Sequence, residues 1–179
     1  MMLTADRIRA LFLLLNRELE RRDISGEIYL AGGAVMCLVF NARPATRDID
    51  ALLRPAAELL NAARIVGANE GLPEHWINDA VKGFLSPHGR YEPFEELSHL
   101  RIYVPHTGYL LAMKCLALRL GEESQDLSDV RVLVRALGLR QAGEIEVILA
   151  QYYPLDRYPA KARYVIEELL LEGMDESHP

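Results

Sequence analysis

Residues 29–53 read YLAGGAVMCLVFNARPATRDIDALL, and the order of residue types in this stretch decides the fold. A short apolar strand, Ile28 to Ala31, runs into Gly32-Gly33, and a helix-like apolar stretch follows to Phe40. The turn at Arg43-Pro44 returns the chain into a second strand, Asp48 to Leu53. Side chains alternate faces along a strand, so Asp48 and Asp50 share one face and Ile49 points the other way. Two carboxylates side by side repel each other unless a cation sits between them. The pair therefore suits Mg²⁺, a hard ion that takes oxygen ligands and retains waters and phosphates. Glycines at a strand-to-helix junction let backbone N–H groups approach a phosphate closely. Read separately, a Gly-Gly pair marks a tight turn and Asp-x-Asp a solvated strand edge. In this order they are equipment for moving a nucleotidyl or phosphoryl group.

Outward from this stretch, Thr4 or Asp6 can cap a first helix running to about Arg22, with Ile8, Leu11, Phe12, Leu15 and Leu19 as its buried stripe. After Leu53, Pro55 stands where a helix can begin, and the pattern predicts helix to about Asn69. Glu74 to His99 is the least regular part: a short helix from Trp76 to Phe84, then a loop. Trp76 or Tyr91 can stack on a base, and Asp79 or Lys82 can touch a substrate; equally, Trp76 can anchor a loop on the core. Leu100 to Val104 alternates as a strand ended by Pro105.

A second block follows. Thr107 is placed to cap a helix, Gly108 to Leu120, in which Lys114 falls inside the apolar stripe of Leu110, Leu111, Ala117 and Leu118. A lysine there either snorkels out or meets a partner. Gly121 to Ser124 reads as a break and cap. Beyond it Asp126 and Asp129 border an apolar face and call for a cation, which Lys114 or Arg119 can supply. The last part, Gln141 to Leu171, reads as two helices around QYYPLDRYP, with Asp156 as a cap. Its Tyr152, Tyr153, Tyr158 and Tyr164 interleave with Arg157, Lys161 and Arg163, a mix for holding nucleic acid or for helix-corner packing.

The motifs together resemble the nucleotidyltransferase superfamily that shares the polymerase-β fold, and the small bacterial members related to type IV toxin, abortive-infection nucleotidyltransferases in particular. Gly32, Gly33, Thr46, Asp48 and Asp50 carry the resemblance, with Lys-x-x-Ala-x-Arg and Asp-x-x-Asp of the second block. It spans about Tyr29 to Leu137. Two departures stand out: Ala34 replaces the common Ser or Thr, and the Leu100 to Val104 strand carries Arg101 and Tyr103 where many members have a third metal-binding acid. Either that carboxylate comes from elsewhere or the metal site is reduced.

The resemblance implies an α+β fold with a small mixed sheet, a nucleotidyltransferase-like domain over residues 1–139 and a helical extension over 140–179. It implies transfer of a nucleoside monophosphate from an NTP to an acceptor hydroxyl on tRNA or protein, with Mg²⁺ or Mn²⁺ held by Asp48 and Asp50. Lys114 and Asp126 join these two as catalytic residues. Gly32, Gly33, Thr46, Arg47, Arg119 and Asp129 bind substrate, Asp129 also being the alternative to Asp126. A toxin–antitoxin or phage-defence setting, with a cognate antitoxin as partner, follows from the same resemblance. The rival reading is a nucleotide-binding or interaction module without turnover.

Composition narrows the field. Half of the 179 residues are hydrophobic and 26% are charged, which is globular composition. The net charge of −6 argues against indiscriminate coating of nucleic acid and leaves room for a local basic groove. Glu167, Glu168, Glu172, Asp175 and Glu176 supply much of it, as a solvated end. Met1 to Leu15 has no signal-peptide pattern and no apolar run is long enough for a membrane span, so the expectation is a cytoplasmic protein. Cys37 and Cys115 read as buried thiols, and the five scattered histidines form no zinc spacing.

Overall fold

The structure is a computed structural model that describes residues 2–119 and 125–175, with side chains omitted at 169 and 171–175. The expected break at Gly121 to Ser124, the tail residue Glu176, and the side chains of Glu172 and Asp175 lie outside what is described. The fold is α+β, with five strands in one mixed sheet and seven α-helices among the described residues. Contacts divide the chain into two compact units, residues 1–83 with 91–105, and residues 84–90 with 106–179.

The first unit holds the sheet. Helix α1 (Ala5–Glu20) starts where Thr4 Oγ1 accepts the Arg7 N–H at 3.2 Å, as the capping pattern requires. Ile8, Leu11, Phe12, Leu15 and Leu19 form its buried stripe. Strand β1 (Gly26–Leu30) leads into α2 (Gly32–Leu38), which ends two residues short of the expected Phe40. Strand β2 (Ile49–Arg54) begins one residue late, so Asp48 stands in the bend just before it. Helix α3 (Ala56–Asn69) follows Pro55.

The irregular region is more ordered than its sequence suggests. It forms β3 (Ile77–Asn78), a 3₁₀ turn (Ala80–Phe84) and β4 (Tyr91–Glu96), which pairs with β5 (Leu100–Pro105). This corrects the expectation of a short helix and loop. β4 has Pro93 and three glutamates because it lies at an edge and needs no apolar alternation, so a pattern search passes over it. The strand order is β3-β2-β1-β5-β4, with β1–β2 and β4–β5 antiparallel and β1–β5 and β2–β3 parallel.

Trp76 is 1% exposed, and its indole N–H donates to the Ala63 carbonyl at 2.9 Å. It is an anchor of the α3 side of the core, and its two ring faces are not offered to a base. Gly67 accommodates it: a Cβ there would come within 2.8 Å of the indole.

The second unit is helical: α4 (Thr107–Leu116), α5 (Asp126–Ala136), α6 (Ala142–Tyr152) and α7 (Ala160–Asp175). Thr107 lies inside α4, and His106 holds its N-cap position, so the expected threonine cap is not made. Asp156 sits in a 3₁₀ turn, Leu155–Arg157, rather than capping α7. Three of the four tyrosines of this region pack. Tyr153 donates to the Phe84 carbonyl, Tyr158 donates to the Leu149 carbonyl at 3.0 Å, and Tyr152 lies 5.0 Å from the Tyr109 ring. Burial pushes the Tyr153 and Tyr158 hydroxyls well above the usual phenol range. Tyr164 is 72% exposed. Helix-corner packing accounts for the first three.

Candidate functional site

The site begins with two glycines that are required for different reasons. Gly32 has φ +60°, and a Cβ on it would meet Asp50 Oδ2 at 2.9 Å. A non-glycine residue is disfavoured there by backbone and by space. Gly33 has no such φ; there a Cβ would meet Thr46 Oγ1 at 2.5 Å and Arg43 Nη1 at 3.2 Å. Arg43, read from sequence only as part of a turn, therefore packs over Gly33. Thr46 is buried and doubly bridged to Leu3 through its own N–H and carbonyl, at 2.9 and 2.7 Å, which fixes the hydroxyl above the glycine. Arg47 is exposed.

Asp50 is brought against Gly32 by the β1–β2 pairing, in which the Ala31 N–H donates to the Asp50 carbonyl at 2.9 Å. Ile49, Ala51 and Leu53 face the core, and Asp50 lies on the other, half-buried side of β2. Among the described residues Asp50 has neither a donor nor a cation against its carboxylate. Asp48 accepts a hydrogen bond from Asn78 Nδ2 at 3.3 Å. Asn78 stands opposite Asp50 in the β2–β3 register. The sequence pattern gives this asparagine no role, because two-residue β3 leaves no periodic trace.

The same sheet face continues over β1 and β5. Arg101 bridges Glu27 at 3.0 Å, Tyr103 stacks on Tyr29 with centroids 4.7 Å apart, and Arg54 lies 5.2 Å from the Tyr29 ring centre. Burial, with Glu27 accepting its hydroxyl, raises the Tyr29 phenol above its usual range. The β5 positions on this face are thus taken by Arg101 and Tyr103, and no acid comes from this strand. No cluster of three or more His, Cys, Asp or Glu suited to a metal occurs among the described residues. What the first unit offers a hard cation is two carboxylates, one of them uncompensated, which fits an ion that completes its shell with water and phosphate.

The second unit contains the other predicted residues. Lys114, 9% exposed, sits between Asp129 Oδ2 at 2.6 Å and Asp126 Oδ1 at 3.4 Å. Asp129 is fully buried and Asp126 is 5% exposed. The Arg119 N–H and its Nε approach Asp126 Oδ2 at 3.1 and 3.3 Å, with the Arg119 side chain 82% exposed. Burial works to raise the Asp126 carboxyl, but the Lys114 ammonium and the Arg119 backbone N–H outweigh it and hold the carboxyl below its ordinary range. The lysine in the apolar stripe thus meets its partners rather than snorkelling, and the acids of α5 receive the cations that their position demands. Gly32, Gly33, Thr46, Asp48 and Asp50 belong to the first unit, and Lys114, Arg119, Asp126 and Asp129 to the second.

No described helix is long and apolar enough to cross a membrane. Compared with known proteins, the chain matches no family model, no curated protein and no solved structure.

Proposed function

We propose that the chain is a nucleotidyltransferase of the polymerase-β-like fold, moving a nucleoside monophosphate from an NTP to an acceptor hydroxyl with release of pyrophosphate. The observation that carries this reading is the packing of left-handed Gly32 directly on the uncompensated Asp50 carboxylate, with Asp48 in the bend just before β2. Asp48 and Asp50 would hold Mg²⁺ or Mn²⁺, which when bound polarises phosphate oxygens and lowers the pKa of a coordinated hydroxyl. Gly33, Thr46 and Arg43 border the position for the terminal phosphates, and exposed Arg47 adds positive charge nearby in sequence. Lys114 neutralises developing charge in this reading. Asp126 orients Lys114 and Arg119, whose exposed guanidinium is anchored through Nε; Asp129 shares the first of these tasks. The acceptor is tRNA or a protein, in a toxin–antitoxin or phage-defence setting, and a cognate antitoxin is the expected partner.

The rival is a nucleotide-binding or interaction module without turnover. Two observations favour it: Arg101 and Tyr103 occupy the β5 face in place of a third acid, and Lys114 is already held by two aspartates. Incubation with each α-labelled NTP, Mg²⁺ or Mn²⁺ and total cellular RNA and protein separates them. A labelled band lost in Asp48→Ala/Asp50→Ala supports transfer and reports whether the acceptor is RNA or protein. NTP binding without labelling favours the module.

A further inference from the structure

We infer that Asn78 is the positioning residue of the Asp48–Asp50 pair, and that its neutral amide keeps a further negative charge away from Asp48. The inference rests on the cation reading of that pair given above. Asn78 stands across from Asp50 in the parallel β2–β3 register, so it shares the sheet face of the acids. Its side chain is tied at both ends. Oδ1 accepts the Ala80 N–H at 3.0 Å, which commits the carbonyl end to the backbone and leaves Nδ2 to donate to Asp48 Oδ2 at 3.3 Å. Residue 78 therefore presents a donor, not an oxygen, to the carboxylate.

Two consequences follow. Asp48 lies in a bend and not in the ladder, so the amide supplies an anchor that strand pairing does not. An outer partner that fixes the orientation of a metal-ligating carboxylate is worth about 10–100-fold in metal affinity. The second consequence concerns charge. An aspartate at 78 would set oxygen against oxygen at Asp48 and bring another negative charge to the face. Asparagine adds none. Asp79, the next acid along, is paired with Lys82, and β5 contributes Arg101 and Tyr103.

Mn²⁺ titration of the full chain without nucleotide, followed by the EPR signal of free Mn²⁺, tests this. Wild type takes up Mn²⁺, and Asp48→Ala/Asp50→Ala takes up none. Asn78→Ala binds Mn²⁺ about tenfold more weakly with the stoichiometry unchanged. Asn78→Ser, which keeps an acceptor for the Ala80 N–H but falls short of Asp48, shows the same loss and covers the case in which the alanine variant fails to fold. Asn78→Asp melts at a lower temperature without metal, recovers with Mn²⁺, and binds the ion more tightly or takes a second. Wild-type affinity in a folded Asn78→Ala or Asn78→Ser variant overturns the positioning role, and an Asn78→Asp variant as stable as wild type without metal overturns the charge argument. Wild type without Mn²⁺ uptake, or uptake undiminished in the double aspartate variant, refutes the cation reading itself and is a different result from either.

Discussion

Replacing Lys114 by methionine keeps the bulk of a buried side chain and removes its charge. Its Nζ lies 2.6 Å from Asp129 Oδ2 and 3.4 Å from Asp126 Oδ1. At an effective dielectric of about 20, the closer contact alone is worth on the order of 6 kcal/mol of Coulomb energy, part of which offsets desolvation of both groups. Asp126 keeps Arg119, but Asp129 has no exposed surface through which water could replace the lysine. Lys114→Met should therefore lose about 3–5 kcal/mol, the usual cost of leaving one member of a buried pair behind. At about 2–4 °C per kcal/mol for a chain of this size, the melting transition falls by roughly 6–20 °C. Far-UV circular dichroism during urea and thermal unfolding reads both quantities. Lys114→Met/Asp129→Leu should recover at least about 2 kcal/mol of the loss, because the fully buried carboxylate is removed together with its ammonium. A single variant within about 1 kcal/mol of wild type, or a double variant no better than the single one, would refute the reasoning.

The remaining expectations can be tested on the same material. The folded Asp126 carboxyl binds its proton less readily than the unfolded one, so its stabilisation is complete above about pH 4 and is lost as pH falls through the depressed folded value; unfolding curves of wild type and Asp126→Asn should converge on acidification. Gly67→Ala forces a methyl onto the buried Trp76 indole and should cost about 1–3 kcal/mol by urea midpoint, with a less than additive loss when Trp76 is also shortened as the diagnostic. Gly32→Ala should cost about 1–2 kcal/mol for its left-handed backbone and also weaken Mn²⁺ uptake, since the new methyl displaces Asp50; unchanged uptake would separate the glycine from the site. Burial pushes the Cys115 thiol up to about 12 and Cys37 is buried as well, so a disulfide-exchange reagent at pH 8 should label neither thiol in the native state and both in urea.

The parts of this architecture that were readable in advance are those in which one residue type has one physical use. The strand, Gly-Gly, helix, Asp-x-Asp order announced β1, α2 and β2, because apolar runs and paired glycines leave distinct traces, although only Asp50 of the two acids lies in the strand. The ion network was readable because a lysine in an apolar stripe and two acids on the next helix face need each other. What escaped was set by pairing and not by pattern. β3 is two residues long, and β4 has one neighbour and carries Pro93, so neither needed the alternation that identifies a strand. With β3 went the significance of Asn78, which acquires its place only when Ile49 and Ile77 come into register. Arg43 was likewise invisible as a partner of Gly33, since their proximity is made by the turn between them.

The edge formed by β4 has a bearing on the handling and history of the molecule. Its ladder with β5 shifts register between Pro93 and Glu95, and Glu92, Glu95 and Glu96 line the strand. A missing N–H, a bulge and a row of like charges make a poor template for a second sheet to copy. Neighbouring molecules in a concentrated solution are thus refused the backbone contacts that start fibres. Residues that look like defects in a strand act as a barrier against self-association, and substitutions such as Pro93→Val with Glu95→Thr would trade colloidal stability for a more regular sheet.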